Sequence, residues 1–331
     1  MKKRIISAVL AAMLCMGAGA SAAEHQRMDI TADGNGVSSN LTKTTLDDQT
    51  VYSLAGNSQT MGSSVIVTFG GYDTLGKRIS ADKRYMVVHY MLKNNTETSA
   101  LNGLKPTFQI DVFGKTNEDG SEEDIKNGNA WISSGFITGA TAFQKGEWAP
   151  LMVKLDNSKI LGVVNDYPGA WYKTLRMYPS WSTENNTMSD DDTLYMKYVD
   201  FYTEQPSNVV YNPSVTISNG TVSGKARLYQ FDGAEKGCVM LLAQYDKNGN
   251  LINCKVNEIA ASQLTAGFND ISTEAECSAS KDIDAKLFIW DSLTDMNALC
   301  DAQSASYNAP ISNDNEVSYS IYGMGAVNPK E

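Results

Sequence analysis

The sequence predicts an all-β chain built as two β-sandwiches in tandem, and three observations carry that expectation. Runs of four to eleven residues with apolar side chains at strand spacing recur between Gly, Asn, Asp and Pro signals, and no long stretch has a helical period. The pattern breaks once, at Glu204-Gln205-Pro206-Ser207-Asn208, and again at Asn212-Pro213, which places a domain boundary there. Beyond it, Asn219-Gly220 and Asn248-Gly249 each separate two strand-like runs, the strongest short hairpin signal a sequence offers.

The elements follow in order. Lys2, Lys3 and Arg4, an apolar run from Ile5 to Ala18 and the small residues Ala20 to Ala23 have the order of a secretory signal peptide, so residues 1–23 are expected to be removed. The apolar run is shorter than the roughly 18 residues a membrane helix needs, and no later segment approaches that length. Met13 and Leu14 before Cys15 are bulky where a lipoprotein signal has small residues, which argues against lipidation. Residues 24–46, rich in Ser, Thr, Asn, Asp and Gly, are expected to form a flexible leader.

Eight runs then fill the first domain, residues 47–204: Val51 to Leu54, Ser64 to Phe69, Arg84 to Lys93, Pro106 to Phe113, Trp131 to Thr138, Glu147 to Leu155, Thr174 to Pro179 and Thr193 to Thr203. The connections Gly114 to Asn129 and Ser180 to Asp192 are long, and such loops gather at the ends of a sandwich, where binding sites sit. Residues 205–213 read as a linker and residues 214–304 as the second sandwich, six or seven strands in about 90 residues. If Asn248-Gly249 forms the whole turn, Tyr245 faces Ile252, Ala243 faces Cys254, Leu241 faces Val256 and Gln244 faces Asn253. Residues 305–331 are read as a polar C-terminal tail in which Val317 to Met324 is the one strand-like run, and the last residues show no sortase-type anchoring pattern.

Charge and chemistry exclude several functions. Loss of the signal moves the formal charge from −11 to −14, and an acidic chain repels nucleic acid and anionic membrane surfaces, so neither partner is expected. The mature chain has two histidines, His25 near the new N-terminus and His89 inside a strand among Val87, Val88 and Tyr90. A packed strand histidine is a poor general base for a nucleophile, and no His/Cys cluster has zinc spacing. The acidic runs Glu118-Asp119, Glu122-Glu123-Asp124 and Asp190-Asp191-Asp192 read as solvated loops, so a glycosidase carboxylate pair ranks below a binding role and no enzyme activity is expected. Cys238, Cys254, Cys277 and Cys300 match no C-x-x-C pattern; they serve either as small buried residues or as disulfides of an exported protein.

Aromatic residues are the best functional signal. Trp131, Trp148, Trp171 and Trp181, with Tyr167, Tyr172 and Tyr178, cluster in the later half of the first domain. A sugar ring lays its C–H face on a flat aromatic side chain; about 100 Å² of contact at ~25 cal/mol/Å² contributes roughly 2.5 kcal/mol. Millimolar binding needs about 4.1 kcal/mol, so two or three platforms with polar groups are required. Trp148 leads into Leu151 and Val153, and Trp290 lies among apolar neighbours; both read as core. Trp171, after Tyr167-Pro168-Gly169-Ala170, and Trp181, beside a polar loop, are the expected exposed platforms, with Trp131 and Tyr178 as further ligand-binding candidates.

Two resemblances add to this. Ala285-Lys286-Leu287-Phe288-Ile289-Trp290-Asp291-Ser292-Leu293, with Met296 and Leu299, resembles the end of an immunoglobulin-like module at the C-termini of secreted clostridial cell-surface and polysaccharide-degrading proteins, and Gln244 to Ile252 is similar to its central hairpin. Together they cover most of residues 214–303. Leu194 to Tyr202, alternating aromatic and aliphatic residues, resembles the closing strand of galactose-binding-like jelly rolls found in carbohydrate-binding modules. The resemblances imply a jelly-roll-like domain followed by an immunoglobulin/fibronectin-like one. They also imply a secreted or cell-surface accessory protein whose first domain binds a polysaccharide or cell-wall glycan, while the second is a spacer or docking module. The alternative from another class is an adhesive protein whose partner is another surface protein. Jelly-roll modules often hold a structural calcium ion, for which Asp190, Asp191 and Asp192 are the candidate ligands, behind their reading as solvated loop.

Overall fold

The computed structural model describes residues 25–30, 41–46, 49–55, 67–94, 101–179, 191–233, 236–278 and 281–308. The signal-peptide segment, Trp181 and Asp190 lie outside them. The chain divides into two compact units: Met1–Tyr211 with Leu228–Lys236 and Thr265–Asn269, and the remainder.

In the first unit the strands are β1 (His25–Asp29), β2 (Thr42–Leu46), β3 (Gln49–Ala55), β4 (Val67–Gly70), β5 (Tyr85–Asn94), β6 (Thr107–Thr116), β7 (Glu122–Asp124), β8 (Lys126–Asn127), β9 (Ala130–Trp131), β10 (Ile137–Thr138), β11 (Ala149–Lys154), β12 (Trp171–Tyr178) and β13 (Asp192–Tyr202). One sheet has the order β11-β5-β13-β3-β2, with β1 on β13; the other has the order β10-β6-β12-β4, with β7 on β6. From β3 onward the main strands alternate between the two sheets, which is the jelly-roll arrangement. Alternate side chains of each sheet meet in one core: Val88, Tyr90, Leu92, Leu194, Met196 and Phe201 from the first, Phe108, Ile110, Phe113, Tyr172, Leu175 and Met177 from the second.

The larger sheet is buried on its other face as well. Val51, Val87, Met91, Trp148 and Met152 pack there with Val209, Tyr211, Tyr229 and Phe231. Two-sided burial explains why β5 reads as an unbroken apolar run rather than an alternating one, with seven consecutive residues from Met86 to Leu92 buried.

Strands β14 (Asn208–Ser218), β15 (Thr221–Gln230), β16 (Cys238–Tyr245), β17 (Leu251–Ile259), β18 (Gly267–Glu276), β19 (Ile283–Trp290) and β20 (Gln303–Tyr307) follow among the described residues. They form sheets β14-β15-β18 and β17-β16-β19-β20, the three-plus-four arrangement of an immunoglobulin/fibronectin-like sandwich. Asn219 and Gly220 both have positive φ, 51° and 76°, as a tight hairpin turn between β14 and β15 requires. Trp290 is buried in the second sandwich.

Several expected boundaries are corrected. The leader is not free of structure: β1 and β2 fall inside residues 24–46, recruited by pairing with β13 and β3. Residues 208–213, expected as linker, are the start of β14, and the expected tail begins inside β20. A helix, α1 (Ser158–Asp166), was not anticipated; Asn157 caps it by accepting from the Ile160 amide, and Ile160 and Val163 bury one turn of it. In the β16–β17 hairpin Ala243, Leu241 and Gln244 face Cys254, Val256 and Asn253 as expected, but Tyr245 faces Leu251. The Asp246 carboxylate accepts from the Asn248 and Asn250 amides, so the turn spans Asp246 to Asn250 and shifts the last pair by one residue. The four cysteines are unpaired thiols, and burial pushes the Cys238 and Cys300 thiols up to about 12.

Candidate functional site

The outward face of the β6–β12 pair is the surface that gathers the sequence candidates. Because Phe108, Ile110 and Phe113 on β6 and Tyr172, Leu175 and Met177 on β12 point into the core, their alternates point away from it. A register shift between Tyr172 and Leu175 keeps Trp171 on the same outward side as Arg176 and Tyr178.

At one end Tyr178 donates its hydroxyl hydrogen to Gln109 Oε1 at 3.0 Å, and Phe136 meets the Tyr178 ring edge-on at 5.7 Å. Next along the strands, Arg176 Nη2 lies 2.9 Å from Asp111 Oδ2. Lys173 then pairs with Asp124 at 2.5 Å. At the far end Trp171 lies across Gly114, and Arg78, held by Glu122 and Thr116, places its guanidinium carbon 5.2 Å from the indole centroid. From Thr107 to Gly114 the row extends roughly 23 Å at ~3.3 Å per residue. The Trp171 indole N–H and Arg176 Nε are buried donors without a hydrogen-bond partner among the described residues.

The platforms differ from those expected. Trp171 is only 2% exposed, because Tyr72 packs 5.4 Å from it and Arg78 covers it; it is not a surface platform. Tyr178 is buried as well, with its hydroxyl serving Gln109. Trp131 is 59% exposed, on β9, and Phe136, which is not among the expected platforms, is 54% exposed. Both belong to the segment that follows the β6 edge: the Ser134 amide donates to the Ile110 carbonyl and Ile137 pairs with Phe108. Phe136 had one legible signal, its place inside the Trp131-to-Thr138 run.

Trp171 needs Gly114 beneath it, since a Cβ there would stand 2.4 Å from the ring. Gly114→Ala is therefore expected to drive the indole off the sheet and to cost about 1–3 kcal/mol. A red-shifted tryptophan emission together with a lower urea midpoint is the expected result; unchanged emission would mean that the ring has room to slide.

Asp192 does not face an open loop. It is buried at the start of β13 and accepts from Asn94 Nδ2 at 2.5 Å. Asp191 lies in the turn just before β13. Among the described residues no three His, Cys, Asp or Glu side chains form a group able to hold a metal.

A second polar cluster lies on the other face of the larger sheet. Arg27 on β1 forks onto Asp200, Nε to Oδ1 at 2.7 Å and Nη2 to Oδ2 at 3.0 Å. Its guanidinium also stacks on Tyr198 at 3.8 Å. His89 Nε2 lies 3.1 Å from Asp200 Oδ2, and His89 Nδ1 lies 2.8 Å from the Tyr211 hydroxyl. Burial lowers the His89 pKa despite the opposing pull of Asp200, so the ring is neutral. Burial of Asp200 works against its charge, yet the bonds from His89 and Arg27 prevail and hold the carboxyl below its usual range. Burial keeps Tyr211 protonated. We assign Nε2–H as the donor to Asp200 and the Tyr211 hydroxyl as the donor to Nδ1. With His89 and Asp200 both buried, this tyrosine–histidine–aspartate array is closed to a substrate and serves the fold.

No family model and no curated protein matches the chain. Among solved structures the likenesses include distant ones. A glycosyl hydrolase family 2 member from Bacteroides cellulosilyticus DSM 14838 aligns at 9% identity and a TM-score of 0.28, over 86% of this chain and 36% of that one. The β-glucuronidase of Parabacteroides merdae aligns at 8% identity and a TM-score of 0.27, over 78% and 28%. β-Glucosidase 3B from Thermotoga neapolitana aligns at 10% identity and a TM-score of 0.19, over 30% and 17%. The chain spans about a third of the length of the first two, and likeness at these TM-scores carries no argument about function.

Proposed function

We propose that this is an exported, non-catalytic protein whose first unit binds a glycan, on a cell wall or an extracellular polysaccharide, through the outward face of the β6–β12 pair. The second unit is a spacer or docking module. One observation carries the reading: Trp131 and Phe136 are exposed on a segment bordering a row of half-buried side-chain donors and acceptors, Gln109, Asp111 and Arg176. Aromatic faces supply area, and the polar row supplies orientation for hydroxyl groups. The signal-like N-terminus and the resemblance of residues 214–303 to modules of secreted proteins support export and the accessory role.

The test is a glycan-array screen of the mature protein, in calcium and in chelator, with Trp131→Ala and Phe136→Ala singly and together. Each ring supplies roughly 2.5 kcal/mol by area, so each single variant is expected to weaken binding on the order of 10- to 100-fold and the double variant to abolish it. Retention by the folded double variant would remove the site from this face. An array without a single bound glycan would move the weight to a protein partner.

A further inference from the structure

We infer that the ligand of this face is an uncharged glycan rather than a uronic-acid-bearing or sulfated one; the inference rests on the glycan reading above. It comes from the charge arrangement of the face. The cations projecting from it, Arg176, Lys173 and Arg78, each hold a carboxylate of the same face: Asp111, Asp124 and Glu122. An anionic sugar approaching any of them meets the paired carboxylate at nearly the same distance, so attraction and repulsion cancel to first order. Displacing the carboxylate would leave an acidic side chain of the face without its cation.

The wider surroundings are acidic on balance. The undescribed internal segments of the first unit, residues 31–40, 47–48, 56–66, 95–100, 180–190 and 234–235, contain no lysine or arginine. The mature chain carries a formal charge of −14, which repels polyanions at long range. Lys126, opposite Trp131 in the β8–β9 ribbon, and the exposed Lys105, two residues before β6, are the rim cations an acidic sugar would use. A neutral pyranose suits the face better: its hydroxyls both donate and accept, which matches the Gln109 amide, the accepting Asp111 carboxylate and the donating Arg176 guanidinium, and its C–H faces match Trp131 and Phe136.

Affinity electrophoresis of the mature protein tests this, with gels containing neutral polysaccharides (β-glucan, xylan, galactomannan) or acidic ones (polygalacturonate, alginate, chondroitin sulfate). The expected result is retardation by a neutral polymer alone, lost in the Trp131→Ala/Phe136→Ala variant. Its affinity should change less than about twofold between 50 and 500 mM salt, because no net charge is exchanged. Preference for an acidic polymer, weakened by salt and by Lys126→Ala but dependent on Trp131 and Phe136, would overturn the inference and keep the glycan site. Retardation by neither class would overturn both.

Discussion

Replacing Arg27 with methionine is expected to destabilise the first unit by about 2–3 kcal/mol. Removing one partner of a buried ion pair typically costs about 3–5 kcal/mol, because the remaining charge is stranded; the guanidinium of Arg27 is partly reached by water, which reduces the figure. What is stranded is Asp200, buried on β13, whose charge then rests on the neutral His89 and on Tyr202. Arg27 also fixes β1 to the sheet, since its strand pairs with β13 from His25↔Tyr202 to Asp29↔Tyr198. Arg27→Lys keeps the charge but loses the two-pronged fork and the stack on Tyr198, and about half the loss is expected. Hydrogen exchange in β5 and β13 peptides of the mature protein reports the first unit separately. Protection in Arg27→Met within 0.5 kcal/mol of the parent would show that β1 is dispensable.

That cluster also marks where the sequence stops being readable. The alternation of Leu194, Met196 and the residues after them is visible because each apolar side chain answers to one core, and the same holds for the Asn219-Gly220 turn, whose conformation is local. Strand β1 has no such signal. His25-Gln26-Arg27-Met28-Asp29 is mostly polar, and it is held as a strand by remote partners: its pairing with β13, the burial of Met28 and the bond from Arg27 to a carboxylate 173 residues away. Helix α1 buries only Ile160 and Val163, too little apolar surface to set a period over nine residues. Trp171 looked exposed beside Pro168 and Gly169, but its burial is decided by Gly114, Tyr72 and Arg78, all remote in the chain. Phe136, whose ring is among the most exposed aromatics described, sits in a run that resembles an ordinary strand; which face of that run is open depends on its docking along β6. The sandwich architecture is therefore local information repeated many times, whereas the binding face is a product of cross-strand neighbours.

His89 sets the second large effect, a loss of stability in mild acid. The native ring is held neutral by burial, while the unfolded ring titrates near pH 6.5. Below that value the unfolded chain binds a proton that the native chain does not, so the unfolding free energy falls as pH falls. The slope approaches about 1.4 kcal/mol per pH unit until the depressed native value is reached. Between pH 7 and pH 5.5 the expected loss is at most about 1.3 kcal/mol, the limit for a native ring that stays neutral throughout. Asp200 adds nothing in that window: its native pKa is lowered, so its stabilisation is complete above the unfolded value near 3.9 and is lost only as pH drops below it. His89→Gln can retain both contacts, its amide donating to Asp200 and its carbonyl accepting from Tyr211, but it has no proton to gain. The variant is expected to be about 1 kcal/mol less stable than the parent at pH 7, to lose the slope, and to close on the parent as the pH falls toward 5.5. Urea unfolding across this range, read by exchange in β5 peptides, decides it. An unchanged slope in His89→Gln would assign the acid sensitivity to another group and leave His89 with only a packing role.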